Sequence, residues 1–101
     1  MTIVTVFRNR LKASGLSGYE ETAPKIAALA RSMPGYLSHK TFTADDGERV
    51  TIVEFADEAS QAAWAQEARH VEAKKQGRES FYTEYDLKVC KVLRESKFKA
   101  R

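Results

Sequence analysis

The stretch that most constrains this chain runs from Met33 to Phe55, MPGYLSHKTFTADDGERVTIVEF. Two β-rich runs, Tyr36 to Thr43 and Arg49 to Phe55, are separated by Asp45-Asp46-Gly47. Glycine reaches positive φ without a steric penalty, so Asp-Gly between such runs specifies a hairpin with a tight turn. Pro34-Gly35 ends whatever helix precedes it, because a proline ring disfavours helical backbone in the residue before it. A strand and a helix precede the hairpin, and a helix and a strand follow it.

Upstream, a strand is predicted over 2–11. Ile3, Thr5, Phe7, Asn9 and Leu11 fall on one side of it; Val4, Val6, Arg8 and Arg10 fall on the other. Apolar residues on both sides imply that both are covered. Ser17 and Glu20 have the spacing of a capping box, so a helix is expected from about Gly18 to Ser32. Pro24 either bends that helix or begins its regular part. Downstream, Asp57 is placed to cap a short helix that starts at Glu58 and turns near Glu67. A second helical piece, Ala68 to Lys75, closes at Gly77. The last strand is long, about Phe81 to Leu93. Its alternation puts Phe81, Thr83, Tyr85, Leu87, Val89 and Lys91 on one side, and Tyr82, Glu84, Asp86, Lys88, Cys90 and Val92 on the other.

The order β-α-β-β-α-β predicts an α+β, ferredoxin-like domain spanning 1–101, with a four-stranded antiparallel sheet and both helices on one face. A basic tail occupies about 94–101. The opposite sheet face carries Val4, Val6 and parts of the hairpin and last strand. An uncovered apolar face marks an association surface, and a two-fold homodimer is the commonest way to bury it. Two sheets packed face to face would form a dimeric α/β barrel. The long last strand could reach across and extend the partner's sheet.

Composition removes several function classes. Hydrophobic content of 43% with 31% charged residues is that of a folded domain. No apolar run approaches the roughly 20 residues that span a bilayer. The N-terminus MTIVTVFRNR lacks the layout of a secretory signal. One cysteine, Cys90, excludes an intramolecular disulfide and a cysteine-rich metal site. A cytoplasmic protein is expected. The net charge of +3 owes much to Lys88, Lys91, Arg94, Lys97, Lys99 and Arg101. That tail lacks the interleaved motif residues of a nucleic-acid binder and reads as solvated. There is no Gly-rich phosphate loop, no Gly-x-Ser-x-Gly elbow and no His-x-x-x-His pair.

A polar and aromatic set remains. Asn9 stands in line with Ile3, Thr5 and Phe7, so its buried amide must find a partner in the protein or in a ligand. Trp64, on the covering helix, is either core or a platform for a planar molecule. His70 follows six residues later; an imidazole that lines a pocket can transfer protons near neutral pH. Phe7, Tyr82 and Tyr85 are sheet aromatics that either line a pocket or pack in the core. His39, beside Ser38 on the hairpin, could point into the dimer interface.

The Met33-Pro34-Gly35-Tyr36 junction, the Thr51 to Phe55 strand, Trp64 and the segment GRESFYTEY from Gly77 to Tyr85 resemble the antibiotic biosynthesis monooxygenase family of small dimeric α/β-barrel proteins. The resemblance covers about residues 2–93. It implies cofactor-free oxygenation of polyketide anthrones or quinols, haem degradation, or ligand binding without catalysis. In the haem-degrading branch an asparagine on the first strand and a tryptophan on the second helix are followed, about ten residues later, by an iron-ligating histidine. Asn9 and Trp64 match, but ten beyond Trp64 stands Lys74. Haem is therefore not expected. In the cofactor-free branch a tryptophan and a proton-transferring residue about six positions later line the pocket, and Trp64 and His70 fit that spacing. The resemblance thus implies a monooxygenase that needs no cofactor or metal and acts with O2 on a small phenol, hydroquinone or anthrone-like molecule. Asn9, Trp64 and His70 would be catalytic, and Phe7, Tyr82 and Tyr85 would bind substrate. The alternatives are a non-catalytic small-molecule-binding dimer of the same fold and, disfavoured by Lys74 at the ligand position, a haem-degrading monooxygenase.

Overall fold

The computed structural model describes residues 1–101. Four strands, β1 (Ile3–Leu11), β2 (Tyr36–Thr43), β3 (Arg49–Phe55) and β4 (Tyr82–Lys91), form one sheet in the order β2-β3-β1-β4. All three pairings are antiparallel. Helices α1 (Leu16–Ser32), α2 (Glu58–Gln66) and α3 (Ala68–Gln76) provide the cover. This is the expected ferredoxin-like arrangement, with the second helix split in two. No helix is long and apolar enough to cross a membrane.

The hairpin forms with the expected strand bounds. The Gly47 N–H donates to the Ala44 carbonyl at 3.0 Å, and the Ala44 N–H to the Glu48 carbonyl at 2.8 Å. Gly47 sits at φ +89°, the left-handed region that the turn requires and that a Cβ would oppose.

Helix α1 differs from expectation at its start. A 3₁₀ turn over Ala13–Gly15 runs straight into it, its N-cap is Gly15, and no side chain caps it. The Ser17/Glu20 box does not form, because both residues already lie inside the helix. The helix continues through Pro24, which forgoes one ladder hydrogen bond at an exposed position. Asp57 caps α2 as expected, accepting from the Ser60 N–H at 2.7 Å. These bonds hold the Asp57 carboxyl below its ordinary range. Gly77 is not a left-handed cap. Its backbone is helical, and the chain passes through it into a π turn, Gly77–Phe81, before β4. A Cβ on Gly77 would come within 2.7 Å of the Tyr82 ring, so steric room explains this glycine and backbone freedom does not.

The two sides of the sheet follow from the registers. Ile3 pairs with Phe55, Thr5 with Val53, Phe7 with Thr51 and Asn9 with Arg49. Ile3, Thr5, Asn9 and Phe55 are buried beneath the helices. At one end of the layer Phe55, Trp64 and Ala30 form the core, with Ile26, Leu29, Met33, Tyr36 and Val53 packed around them. The register of β4 contains a bulge: Arg10 pairs with Glu84 but Leu11 pairs with Tyr82. One residue, Thr83, is extra, and it moves Tyr82 to the side shared by Tyr85, Leu87 and Val89. Strict alternation placed Tyr82 on the opposite side; the bulge corrects that.

The uncovered face carries Val4, Val6, Val50 and Ile52, all half-buried, and an exposed Phe42. On β4, however, it carries Glu84, Asp86 and Lys88, and the exposed apolar residues of that strand, Leu87 and Val89, lie on the helix side. Only nine of 101 residues are buried. The accessible surface is 7173 Å², against about 5,800 Å² for a compact monomer of this mass. The segment after β4 has no regular structure and exposes Leu93 and Phe98.

Candidate active site

Two groups of side chains stand under the helices, one at each end of β1. The first is built where α2 gives way to α3. Glu67 has extended backbone (φ −61°, ψ 130°), which breaks the helix, and its carboxylate accepts from the Arg69 N–H at 2.8 Å and the His70 N–H at 3.1 Å. That cap fixes His70 in the first turn of α3. The imidazole then lies flat on the Trp64 indole, with ring centroids 3.9 Å apart and an interplanar angle of 12°. His70 Nδ1 is 2.9 Å from the Trp64 carbonyl oxygen.

That contact settles the tautomer. A carbonyl oxygen only accepts, so Nδ1 carries the hydrogen and Nε2 keeps a free lone pair. Burial lowers the pKa of His70, and the Lys74 ammonium acts in the same direction, against the Trp64 carbonyl and the Glu67 carboxylate. The ring is therefore neutral at pH 7, with Nε2 able to accept a proton.

The second group centres on Asn9. It is only 4% exposed, and its Oδ1 has no hydrogen-bond partner. Register places it between Arg49 on β3 and Tyr85 on β4. The Phe7 ring lies 5.5 Å from both Tyr82 and Tyr85, and Tyr19 of α1 lies 6.2 Å from Tyr82. The Arg49 guanidinium sits 4.7 Å above the Tyr19 ring centroid. The Tyr82 hydroxyl is pushed up to about 12, chiefly by burial, with Tyr19 adding to it and Arg49 opposing. It stays protonated at neutral pH, so it donates hydrogen bonds and cannot act as the base.

Of the residues singled out from the sequence, the structure thus joins Trp64 with His70, and Phe7 with Tyr82, Tyr85 and, by register, Asn9. No contact links the two groups. Asn9 lies six residues beyond Ile3, so about 20 Å separates the two ends along β1. Between them the helix layer stops short of β4, and Leu87 and Val89 are 48% and 52% exposed on the helix side. At the Trp64 end this open flank is bounded by the ion pair of Lys91 with Glu58, at 3.6 Å. A recess of about 240 Å³ is lined by Asn9 and Tyr85 together with four charged residues, Arg8, Glu48, Glu84 and Asp86. A larger groove between α1 and α3 is lined by Lys25, Ile26, Leu29 and Glu72 and touches none of these residues.

His39 does not reach the uncovered face. It pairs with Val53 on the helix side, and a bulge at Leu37 brings Tyr36 to the same side, so that His39 Nδ1 lies 2.5 Å from the Tyr36 hydroxyl. Three contributors were missed in the sequence: Tyr19, Arg49 and Glu67. The Asn9–Arg49 pairing follows from the hairpin register, which sequence alone does not supply. Glu67 is a helix cap of a type that ranks below Ser, Thr, Asp and Asn.

The residues present do not fit haem ligated as the haem-degrading pattern implies. Lys74 occupies the ligand position, and its ammonium donates to the Ala65 carbonyl at 2.8 Å, closing the end of α2. A protonated amine has no lone pair for iron.

Comparison with known proteins agrees with this architecture. Residues 2–76 match the family model described as antibiotic biosynthesis monooxygenase. The protein YqjZ of Bacillus subtilis (strain 168) is 30% identical over 93 residues, covering 92% of this chain and 82% of that protein. Among solved structures, Rv0793 from Mycobacterium tuberculosis superposes with a TM-score of 0.83 at 14% identity, over 96% of this chain and 100% of that one. SnoaB from Streptomyces nogalater, described as a cofactor-independent oxygenase, superposes with a TM-score of 0.77 at 14% identity, over 93% and 95%. At these identities the structural likeness speaks for the fold.

Proposed function

The chain belongs to the antibiotic biosynthesis monooxygenase family, and from that premise we propose that it is a cytoplasmic, homodimeric, cofactor-independent monooxygenase acting with O2 on a small aromatic such as a phenol, hydroquinone or anthrone. The observation that carries the reading is the Trp64–His70 pair: a neutral imidazole with Nδ1 tied back and Nε2 free, stacked on an indole.

The chemistry needs a base and an electron-rich substrate. A planar substrate entering by the flank of Leu87 and Val89 stacks near Trp64. His70 Nε2 removes a proton from the acidic CH2 or OH, leaving a carbanion or phenolate delocalised over the rings. Ground-state O2 is a triplet, so the anion first passes one electron to it; the radical pair then combines to a peroxide. For a CH2 substrate the peroxide loses water. One oxygen atom stays as the new carbonyl, the other leaves with two hydrogens, and all four electrons come from the substrate. The protein supplies a proton acceptor, orientation and exclusion of water. Asn9 and the tyrosines lie about 20 Å away along β1, too far to touch a phenol, hydroquinone or anthrone held at His70, and serve the far end of the chamber. SnoaB is a precedent for cofactor-free oxygenation on this fold.

The dimer rests on the half-buried apolar strip of the uncovered face and on the excess accessible surface. Oxygen uptake with a panel of hydroquinones and anthrones tests the oxygenase reading. Uptake that depends on His70 supports it. No uptake with any of them, or full activity in Asn9→Ala, Trp64→Phe and His70→Ala alike, overturns it and leaves a ligand-binding dimer.

A further inference from the structure

We propose that the corner formed by Arg49, Asn9, Tyr19 and Tyr82 is an anion subsite that receives the carboxylate of an aromatic acid. The proposal rests on the reading of the helix–sheet space as a ligand chamber, and it adds the class of ligand.

The argument starts from charge pairing at this end of the sheet. Toward this end of the sheet the carboxylates of the uncovered face are ion-paired: Glu48 with Arg8, Asp46 and Glu84 both with Arg10, and Asp86 with Lys88. Arg49 projects to the other side, is half-buried, and makes no ion pair or hydrogen bond. Its guanidinium lies over the face of the Tyr19 ring and near the Tyr82 hydroxyl. Stacking engages the flat face of a guanidinium and leaves its five N–H donors free in the plane. A half-buried cation with unused in-plane donors fits a planar, bidentate anion, and a carboxylate is that shape.

The neighbours complete the fit. Asn9, directly opposite Arg49 in the register, is the one buried side chain whose polar atom lacks a partner. A buried amide without partners is costly, so a ligand hydrogen bond is the natural relief. Tyr82 keeps its hydroxyl hydrogen and can donate. Phe7, Tyr82 and Tyr85 present ring faces and edges for the ligand's aromatic part, at centroid spacings of 5.5 to 6.1 Å from one another. Glu84 and Asp86 alternate to the opposite face in the register; with Glu48 they line the recess beside Asn9, each already ion-paired, to Arg10, Lys88 and Arg8.

Calorimetric titration of the full chain with 2-naphthoate and with 2-naphthamide separates charge from shape. The naphthoate should bind about tenfold more tightly than the amide. Arg49→Gln should bring the two within about twofold of each other, while Lys40→Gln, on the uncovered face, should leave the ratio unchanged. Arg49→Lys keeps the charge but loses the planar fork, and should cut the preference severalfold. Should Arg49→Gln not fold, the Arg49→Lys result decides. No preference in the unaltered protein, no binding of either compound, or a preference that survives the Arg49 substitutions overturns the subsite. Oxygen uptake with a neutral hydroquinone is measured alongside. Uptake without carboxylate preference removes the subsite and leaves the oxygenase; preference without uptake does the reverse.

Discussion

His70 and Trp64 hold each other twice: the imidazole stacks on the indole at 3.9 Å, and its Nδ1 bonds to the Trp64 backbone carbonyl at 2.9 Å. Trp64 is the only tryptophan, so its fluorescence reports on this one histidine. A stacked imidazolium quenches indole emission; a neutral imidazole does so far less. Burial lowers the His70 pKa, so quenching on acidification should have its midpoint below 6.5. His70→Gln should abolish the transition. A midpoint at or above 6.5 would contradict the buried, neutral ring.

The same titration sets a pH dependence of stability and of rate. Unfolded, the imidazole titrates near 6.5; folded, it titrates lower. Between the two values the unfolded chain binds more protons. Stability contributed by His70 is therefore complete above 6.5, falls as pH drops below it, and levels off under the folded value. Oxygen uptake that uses Nε2 as base should fall on the acid side through that lower folded value. Urea midpoints at pH 7.5 and 5.5, compared with those of His70→Gln, check the first point. A rate profile with no acid limb, or one whose acid limb lies at or above 6.5, would remove His70 as base.

Turnover and stability should separate at this pair. Trp64 is buried against Phe55 and Ala30, so Trp64→Ala should cost about 3–5 kcal/mol. His70 is only partly buried, and His70→Ala should leave the chain folded while lowering turnover by about 10²–10⁴-fold. Stopped-flow oxygen consumption with an active substrate, alongside chemical unfolding, tests both. A His70→Ala protein with unaltered rate would sink the assignment.

Asn9 offers the opposite balance. Because its Oδ1 already lacks a partner, Asn9→Ala forfeits no protein hydrogen bond. The urea midpoint should then change by less than about 1 kcal/mol equivalent, whereas removing a hydrogen-bonded buried group costs about 1–3 kcal/mol. Ligand affinity, by contrast, should fall. Destabilisation well above that range would mean that the amide serves the fold.

Most of the architecture was legible before any coordinates, because its signals are local. Asp-Gly set the hairpin, alternation set the strands, and Asp57 ahead of Glu58 set the start of α2. Most of the errors lie where a neighbour distant in sequence decides. Ser17 and Glu20 looked like a cap, but the 3₁₀ turn feeding α1 from Ala13 starts the helix earlier. Gly77 looked like a helix stop, but it is small because Tyr82 lies against it. Tyr82 itself was placed on the wrong side of β4, because a bulge opposite Arg10 and Leu11 leaves no mark in the pattern of side chains. At the candidate site, the Trp64–His70 spacing was visible along the chain, whereas Arg49 beside Asn9 is a product of strand register.

Association through the uncovered face makes the last prediction, and the position to probe is Val6. It lies on β1, an inner strand of the sheet, opposite Ile52 on β3 and Lys88 on β4. In a lone chain this face meets water. Aspartate at position 6 would there be solvated, with Lys88 opposite it, and the monomer fold should tolerate it. Across a sheet-to-sheet interface the same carboxylate would be buried without a partner, a situation that costs about 3–5 kcal/mol. Two-fold symmetry places the substitution in the interface twice. Sedimentation velocity at micromolar concentration should therefore give twice the 11.4 kDa chain mass for the natural protein, and the single-chain mass for a still-folded Val6→Asp. A natural protein that sediments as a monomer, or a Val6→Asp dimer of undiminished affinity, would show that the apolar strip is not what joins two copies.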